Sequence, residues 1–119
     1  VYLGAIVFSM YGGVNEQPYR AGDGDRRIVI LPIEGLVDDA MADFVHESLR
    51  KLRDNKPAAL VLRVDSGGGY VAPSDRIWDE LKAFKEEMDI PIVASYGSTA
   101  ASGAYYVSAL SDRIFAEPT

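Results

Sequence analysis

The chain reads as an α/β domain with a mainly parallel sheet. Three observations predict this. Short apolar runs rich in β-branched residues recur along it: "RIVILPI", "AALVLRV" and "PIVASY". Between them lie stretches whose apolar residues are spaced by three and four, the period of a helix with one buried stripe. Glycine, proline and aspartate punctuate the junctions, as strand-to-helix turns require.

The elements follow in order. Val1 to Val14, "VYLGAIVFSMYGGV", is uncharged and mostly apolar. A membrane-spanning helix needs about 20 apolar residues, so this stretch reads as the last turns of a span or as a buried strand or apolar arm. It shows no basic n-region or cleavage site, so a complete signal peptide is not supported. Asn15 to Arg27 is polar, holds Pro18, Gly22 and Gly24, and reads as a linker. The folded domain is expected over 28–119. Ile28 to Ile33 reads as a buried strand ended by Glu34-Gly35. Asp38 and Asp39 suit the start of a helix. Met41, Val45, Leu49 and Leu52 form its stripe, and it runs to about Asp54. Ala58 to Val64 is a second strand, followed directly by "DSGGGY". Pro73 suits the first turn of a second helix, whose stripe is Ile77, Leu81, Phe84 and Met88 and which Pro91 stops. "PIVASY" is a third strand, Ala100 to Leu110 a helix of small residues, and "RIFAE" a fourth strand.

Composition narrows the function. A chain of 119 residues, 48% hydrophobic, is enough for one domain with its own core. The net charge is −6 with both signs interspersed. No basic patch stands out, so nucleic acid is not an expected partner. The absence of cysteine excludes disulfides, thiol catalysis and thiolate metal sites. The single histidine, His46, has no converging ligand set around it, so neither metal nor cofactor is expected. The start at Val1 and the stop at "FAEPT", just after a strand, are expected of a piece of a longer protein.

Two strand ends carry the chemistry, because in parallel sheets function collects where strands end and helices begin. In "RVDSGGGYV" three consecutive glycines follow a buried strand. Glycine there permits positive φ and close approach of another backbone, and it leaves N–H groups accessible. The GxGxxG spacing of a dinucleotide site is absent, and so is the GK[ST] of a phosphate-binding loop. An oxyanion or carboxylate cradle is the preferred reading, with a flexible turn as the alternative. In "YGSTAASGAYY", Ser102 sits where strand gives way to helix, walled by Ala100, Ala101, Gly103 and Ala104. Such thin walls admit a substrate backbone. Tight helix packing alone would also account for the alanines.

The succession "VILPIEGLV", "LVLRVDSGGG", "IPIVASYGSTAASGAYYVSALSDRIFAEPT" resembles the signal peptide peptidase A family. The resemblance covers roughly Arg27 to Thr119. Either motif alone is weak; the two in this order and spacing are specific. It implies a Clp/crotonase-like fold of repeated β-β-α units with a mainly parallel sheet, truncated at the C-terminal end here. It implies a membrane-associated serine peptidase with a Ser–Lys dyad, acting on peptides, remnant signal peptides above all. Such a protein would sit at the bacterial cytoplasmic membrane with its catalytic domain extracytoplasmic, assembled as a homo-oligomeric ring. By position, Ser102 matches the nucleophile. Gly103 and Gly69 match the residues whose N–H groups form the oxyanion hole, with Gly68 beside them. Gly67 departs from the family's usual proline, and Ala104 from a common second glycine.

The family's general base is a lysine well downstream of the nucleophile, and Gly103 to Thr119 contains neither lysine nor histidine. The base is therefore expected outside this chain, and the chain alone is expected to be inactive. Lys51, Lys56, Lys82 and Lys85 fall around the helices and read as surface charges. His46 reads as a surface or helix-packing residue. Tyr70, Tyr105 and Tyr106 read as buried aromatic packing rather than walls of the site. Two other functions fit the same sequence. A degenerate homologue would bind peptides or scaffold a membrane complex. A crotonase-like acyl-CoA enzyme would share the fold, but its second loop typically carries glycines where Ser102 stands.

Overall fold

The computed structural model describes residues 3–9, 15–20 and 22–118. Among these residues six strands form one sheet: β1 (Leu3–Ser9), β2 (Asn15–Arg20), β3 (Asp23–Val37), β4 (Ala59–Gly69), β5 (Ile92–Ala100) and β6 (Arg113–Ala116). Their order is β2-β1-β3-β4-β5-β6. The β1–β2 pair is antiparallel and every other pair is parallel. Three helices connect the later strands: α1 (Asp39–Asp54), α2 (Val71–Met88) and α3 (Gly103–Ser108).

The apolar periods become the core directly. Val29, Leu31 and Ile33 of β3, Leu60, Leu62 and Val64 of β4, and Ile92 and Ala94 of β5 are fully buried. Val45, Leu49 and Leu52 of α1 and Ile77, Leu81 and Phe84 of α2 join all of these but Ala94 in one cluster. Each large side chain buried this way contributes about 1.5–3 kcal/mol. The alternate residues Ile28, Ile30, Val61, Arg63 and Val93 are only half-buried, so the helices cover one face of the sheet.

Local signals set the helix ends. Asp38 caps α1 by accepting the Met41 N–H at 2.9 Å, and Lys51 and Arg53 lie in its last turn. Pro73 falls in the first turn of α2, where its missing donor costs nothing. Asp89 in the left-handed region ends that helix.

Three stretches depart from expectation. The segment read as a linker contributes β2 and the first residues of β3. Pairing with β1 supplies partners to its backbone, and side-chain polarity does not prevent this. The apolar start contributes β1, whose Phe8 is buried, so the strand alternative describes residues 3–9; Val1, Tyr2 and residues 10–14 lie outside the described residues. No helix among the described residues is long and apolar enough to cross a membrane. The small-residue helix is shorter than its sequence suggests. β5 runs on to Ala100, and helix begins only after Ser102, whose φ of 54° is incompatible with it.

Candidate active site

The parallel register brings the C-terminal ends of β3, β4 and β5 to one edge of the sheet. There Val37 pairs with Gly69, and Ser66 pairs with Ala100. The three glycines are thus not a loose turn. They continue β4 in register with β3, and the Tyr70 N–H donates to the Val37 carbonyl at 2.9 Å.

Ser102 stands between β5 and α3 with φ 54° and ψ −126°. This is the geometry of the first central residue of a type II′ turn, a position that ordinarily demands glycine. Holding a serine there costs of order 1–3 kcal/mol. Its backbone is fixed from both sides: the Ala101 N–H donates to the Ser66 carbonyl at 3.1 Å, and the Ser102 carbonyl accepts the Tyr106 N–H at 3.0 Å.

The glycines are needed for contact. A methyl group on Gly68, which has φ 97°, would lie 2.7 Å from the Ser102 Cβ and 2.9 Å from the Gly103 nitrogen. A methyl group on Gly69 would overlap the Val37 carbonyl, and one on Gly103 would overlap the Ser74 hydroxyl. Gly69, Ser102 and Gly103 line one pocket of about 280 Å³, together with Val71, Ser74, Asp75 and Tyr106. The Gly68 N–H donates to the Ser66 hydroxyl at 3.0 Å, so it is already engaged. Gly103 is the first residue of α3, and the N–H of a first helical residue has no partner within its helix.

Several residues around this pocket have contacts that the sequence did not indicate. Asp65 accepts from the Ser98 hydroxyl at 2.9 Å and from the Thr99 N–H at 3.1 Å, tying β4 to the last residues of β5. Ser74 donates its hydroxyl to the Tyr70 carbonyl at 2.7 Å, closing the first turn of α2. Asp65 belongs to the glycine motif, but its partners on β5 follow only from the pairing of distant strand ends.

The tyrosines are not buried packing. Tyr70, Tyr105 and Tyr106 are all exposed, because each projects from a helix start at the open edge of the sheet. Tyr106 stacks on Trp78 with ring centroids 5.9 Å apart and forms one wall of the pocket. A hydrogen bond to Asp75 pushes its phenol above the usual tyrosine range. With Leu36 and Val71 these rings make an apolar rim at the edge that carries Ser102.

No lysine or histidine lines the pocket. The Lys85 ammonium donates to the Leu110 carbonyl at 2.7 Å and pairs with Asp112 at 3.0 Å. Lys82 lies 5.0 Å over the Trp78 ring. Both line a separate cleft of about 820 Å³ that excludes Ser102. Lys51 lies in the last turn of α1. His46 bridges α1 to Glu80 of α2 at 2.6 Å.

Comparison with known proteins finds peptidases similar to this chain in sequence and in fold. No protein-family model matches the chain. It is 33% identical over 115 residues to an Enterococcus faecium protein described as a signal peptide peptidase SppA, covering 87% of this chain and 33% of that protein. It is 29% identical over 127 residues to the chloroplastic serine protease SPPA of Arabidopsis thaliana, covering 97% of this chain and 18% of that one. The chain thus spans a third or less of these relatives' length. In fold it matches ClpP1 of Listeria monocytogenes, with a TM-score of 0.58 at 20% identity, covering 66% of this chain and 44% of that one. It also matches a membrane protease of Pyrococcus horikoshii specific for a stomatin homolog, with a TM-score of 0.62 at 17% identity, covering 76% and 45%.

Proposed function

We propose that this chain, which belongs to the signal peptide peptidase A family of serine peptidases on a Clp-like fold, carries the nucleophile and oxyanion donors of a membrane-associated serine endopeptidase. The observation that supports this most is the placement of Ser102. It is held in a strained turn against Gly68, and it shares one pocket with Gly69 and Gly103.

In this reading the Ser102 hydroxyl attacks the scissile carbonyl. The oxyanion accepts from the N–H groups of Gly69 and Gly103. Each such donor is worth about 2.7–4 kcal/mol of the barrier. The C–N bond then breaks, the amine leaves with the proton the base took from Ser102, and water hydrolyses the acyl-enzyme. Gly68 contributes by having no side chain, since its N–H is already committed to Ser66.

The base is a lysine, the second member of a Ser–Lys dyad, supplied by the parent protein beyond Thr119. A lysine serves as base only when desolvated, and Lys82 and Lys85 are held elsewhere by Trp78 and Asp112. The segment alone therefore turns over no substrate. The exposed rim of Leu36, Tyr70, Val71, Tyr105 and Tyr106 suits an apolar peptide, and remnant signal peptides are the substrate class. The parent acts at the bacterial cytoplasmic membrane, with its catalytic domain on the extracytoplasmic side and its subunits in a ring. Incubating the full-length parent with quenched apolar peptides tests the proposal. Cleavage that a Ser102→Ala variant lacks is expected; binding without cleavage would favour a degenerate peptide-binding homologue.

A further inference from the structure

We infer that the Ser66 hydroxyl is the positioning residue that locks the oxyanion loop, an inference that rests on the peptidase reading above. Among the described residues only two glycines have positive φ, Gly35 at 80° and Gly68 at 97°. They belong to different strands, and one hydroxyl joins them. The Ser66 Oγ accepts the Gly68 N–H at 3.0 Å and donates its own hydrogen to the Gly35 carbonyl. Donor and acceptor capacity are both used in one direction, Gly68 to Ser66 to Gly35, so the two bonds polarise each other. The main chain of the same residue holds the nucleophile's turn, because the Ser66 carbonyl accepts the Ala101 N–H at 3.1 Å.

Ser66 is only 3% exposed. A buried hydroxyl of this kind is costly unless satisfied, and here it is satisfied only in the conformation that sets Gly68 against Ser102. The left-handed turn at Gly68 decides where the next N–H, that of Gly69, points. Glycine itself would populate other conformations freely. The preceding residue adds no constraint: Gly67 is also a glycine, its φ is not positive, and a methyl group on it would meet nothing within 4 Å. The loop's preorganisation therefore falls to the Ser66 hydroxyl.

The open space at Gly67 supplies the test. A proline there would restrict the loop through φ without any hydroxyl. In the full-length parent protein, Ser102 acylation by a fluorophosphonate and peptide hydrolysis would be compared across Ser66→Ala, Gly67→Pro and the double variant. Ser66→Ala is expected to slow acylation and kcat roughly 10- to 100-fold, somewhat less than removal of a donor outright, with KM little changed. The double variant is expected to regain much of the rate that Ser66→Ala loses. Should Ser66→Ala fail to fold, Ser66→Cys keeps the shape with a poorer hydrogen-bonding group and is expected to show the same loss. A folded Ser66→Ala or Ser66→Cys variant that acylates at the parent rate overturns the inference alone. A double variant no faster than Ser66→Ala reduces Ser66 to a packing role and also overturns it. A parent protein that never acylates at Ser102 overturns the peptidase reading and this inference with it.

Discussion

A methyl group placed on Gly68 would stand 2.7 Å from the Cβ of Ser102. These residues belong to different strand ends, and their contact defines the site. It makes Gly68→Ala a sharp test. The substitution forces an alanine to φ 97° and drives its side chain into Ser102, the Ala101 carbonyl and the Gly103 nitrogen. The left-handed conformation alone costs about 1–3 kcal/mol. Thermal denaturation is expected to show at least that loss, and fluorophosphonate labelling of the parent protein to fall about 100-fold or more as the donors shift. Unchanged labelling would remove Gly68 from the site.

The strain at Ser102 predicts opposite responses in stability and function. Ser102→Gly places the favoured residue at φ 54° and ψ −126°. Relief of about 1–3 kcal/mol of strain outweighs the roughly 0.5–1 kcal/mol entropic cost of glycine. Stability is expected to rise by about 1 kcal/mol, while Ser102→Ala stays within about 0.5 kcal/mol of the parent. Both abolish activity. Denaturant titration of the two variants side by side decides whether the turn stores strain.

Gly103 packs against α2, and the neighbour is specific. Gly103→Ala would overlap the Ser74 hydroxyl, with the Ser74 Cβ at 3.3 Å. Overpacking of this kind costs about 1–3 kcal/mol. Adding Ser74→Ala removes the oxygen in the way, so the double variant is expected to be more stable than Gly103→Ala. A double-variant cycle with no coupling would place the strain elsewhere.

Most of this fold was legible in the sequence, because apolar periodicity and burial coincide in β3, α1, β4, α2 and β5. The resemblance to the signal peptide peptidase A family was carried by the two motifs around Gly68 and Ser102. Pairing across the sheet was not legible. Asn15–Arg20 lacks apolar alternation and becomes a strand through partners on β1. Asp65 and Ser66 stand in the quoted glycine motif, but their partners Gly35, Ser98 and Ala101 follow only from the parallel register. Tyr105 and Tyr106 looked like core and are exposed, since hydrophobic pattern does not say which side of a short helix faces open space.

At the opposite end of the sheet, Asp112 gives the fold a pH dependence. Its carboxylate accepts the Ile92 N–H at 2.9 Å and pairs with Lys85, and both hold its pKa below the ordinary aspartate range. A depressed folded pKa contributes stability that is present above the unfolded value of about 4 and lost as pH falls through the folded one. Asp112→Asn is expected to lower stability at neutral pH and to lose less on acidification below about pH 4. Parallel acid titrations of the two proteins, followed by circular dichroism, read this difference. Identical slopes would assign the acid sensitivity to other carboxylates.

The nucleophile itself is tested most directly by intact-mass analysis after fluorophosphonate treatment, run on the full-length parent protein, its Ser102→Ala variant and the present chain. One adduct on the parent, none on Ser102→Ala and none on the present chain is the expected result, and it would locate the activating base beyond Thr119. A folded parent that takes no adduct, or an adduct that persists in Ser102→Ala, would contradict Ser102 as the nucleophile.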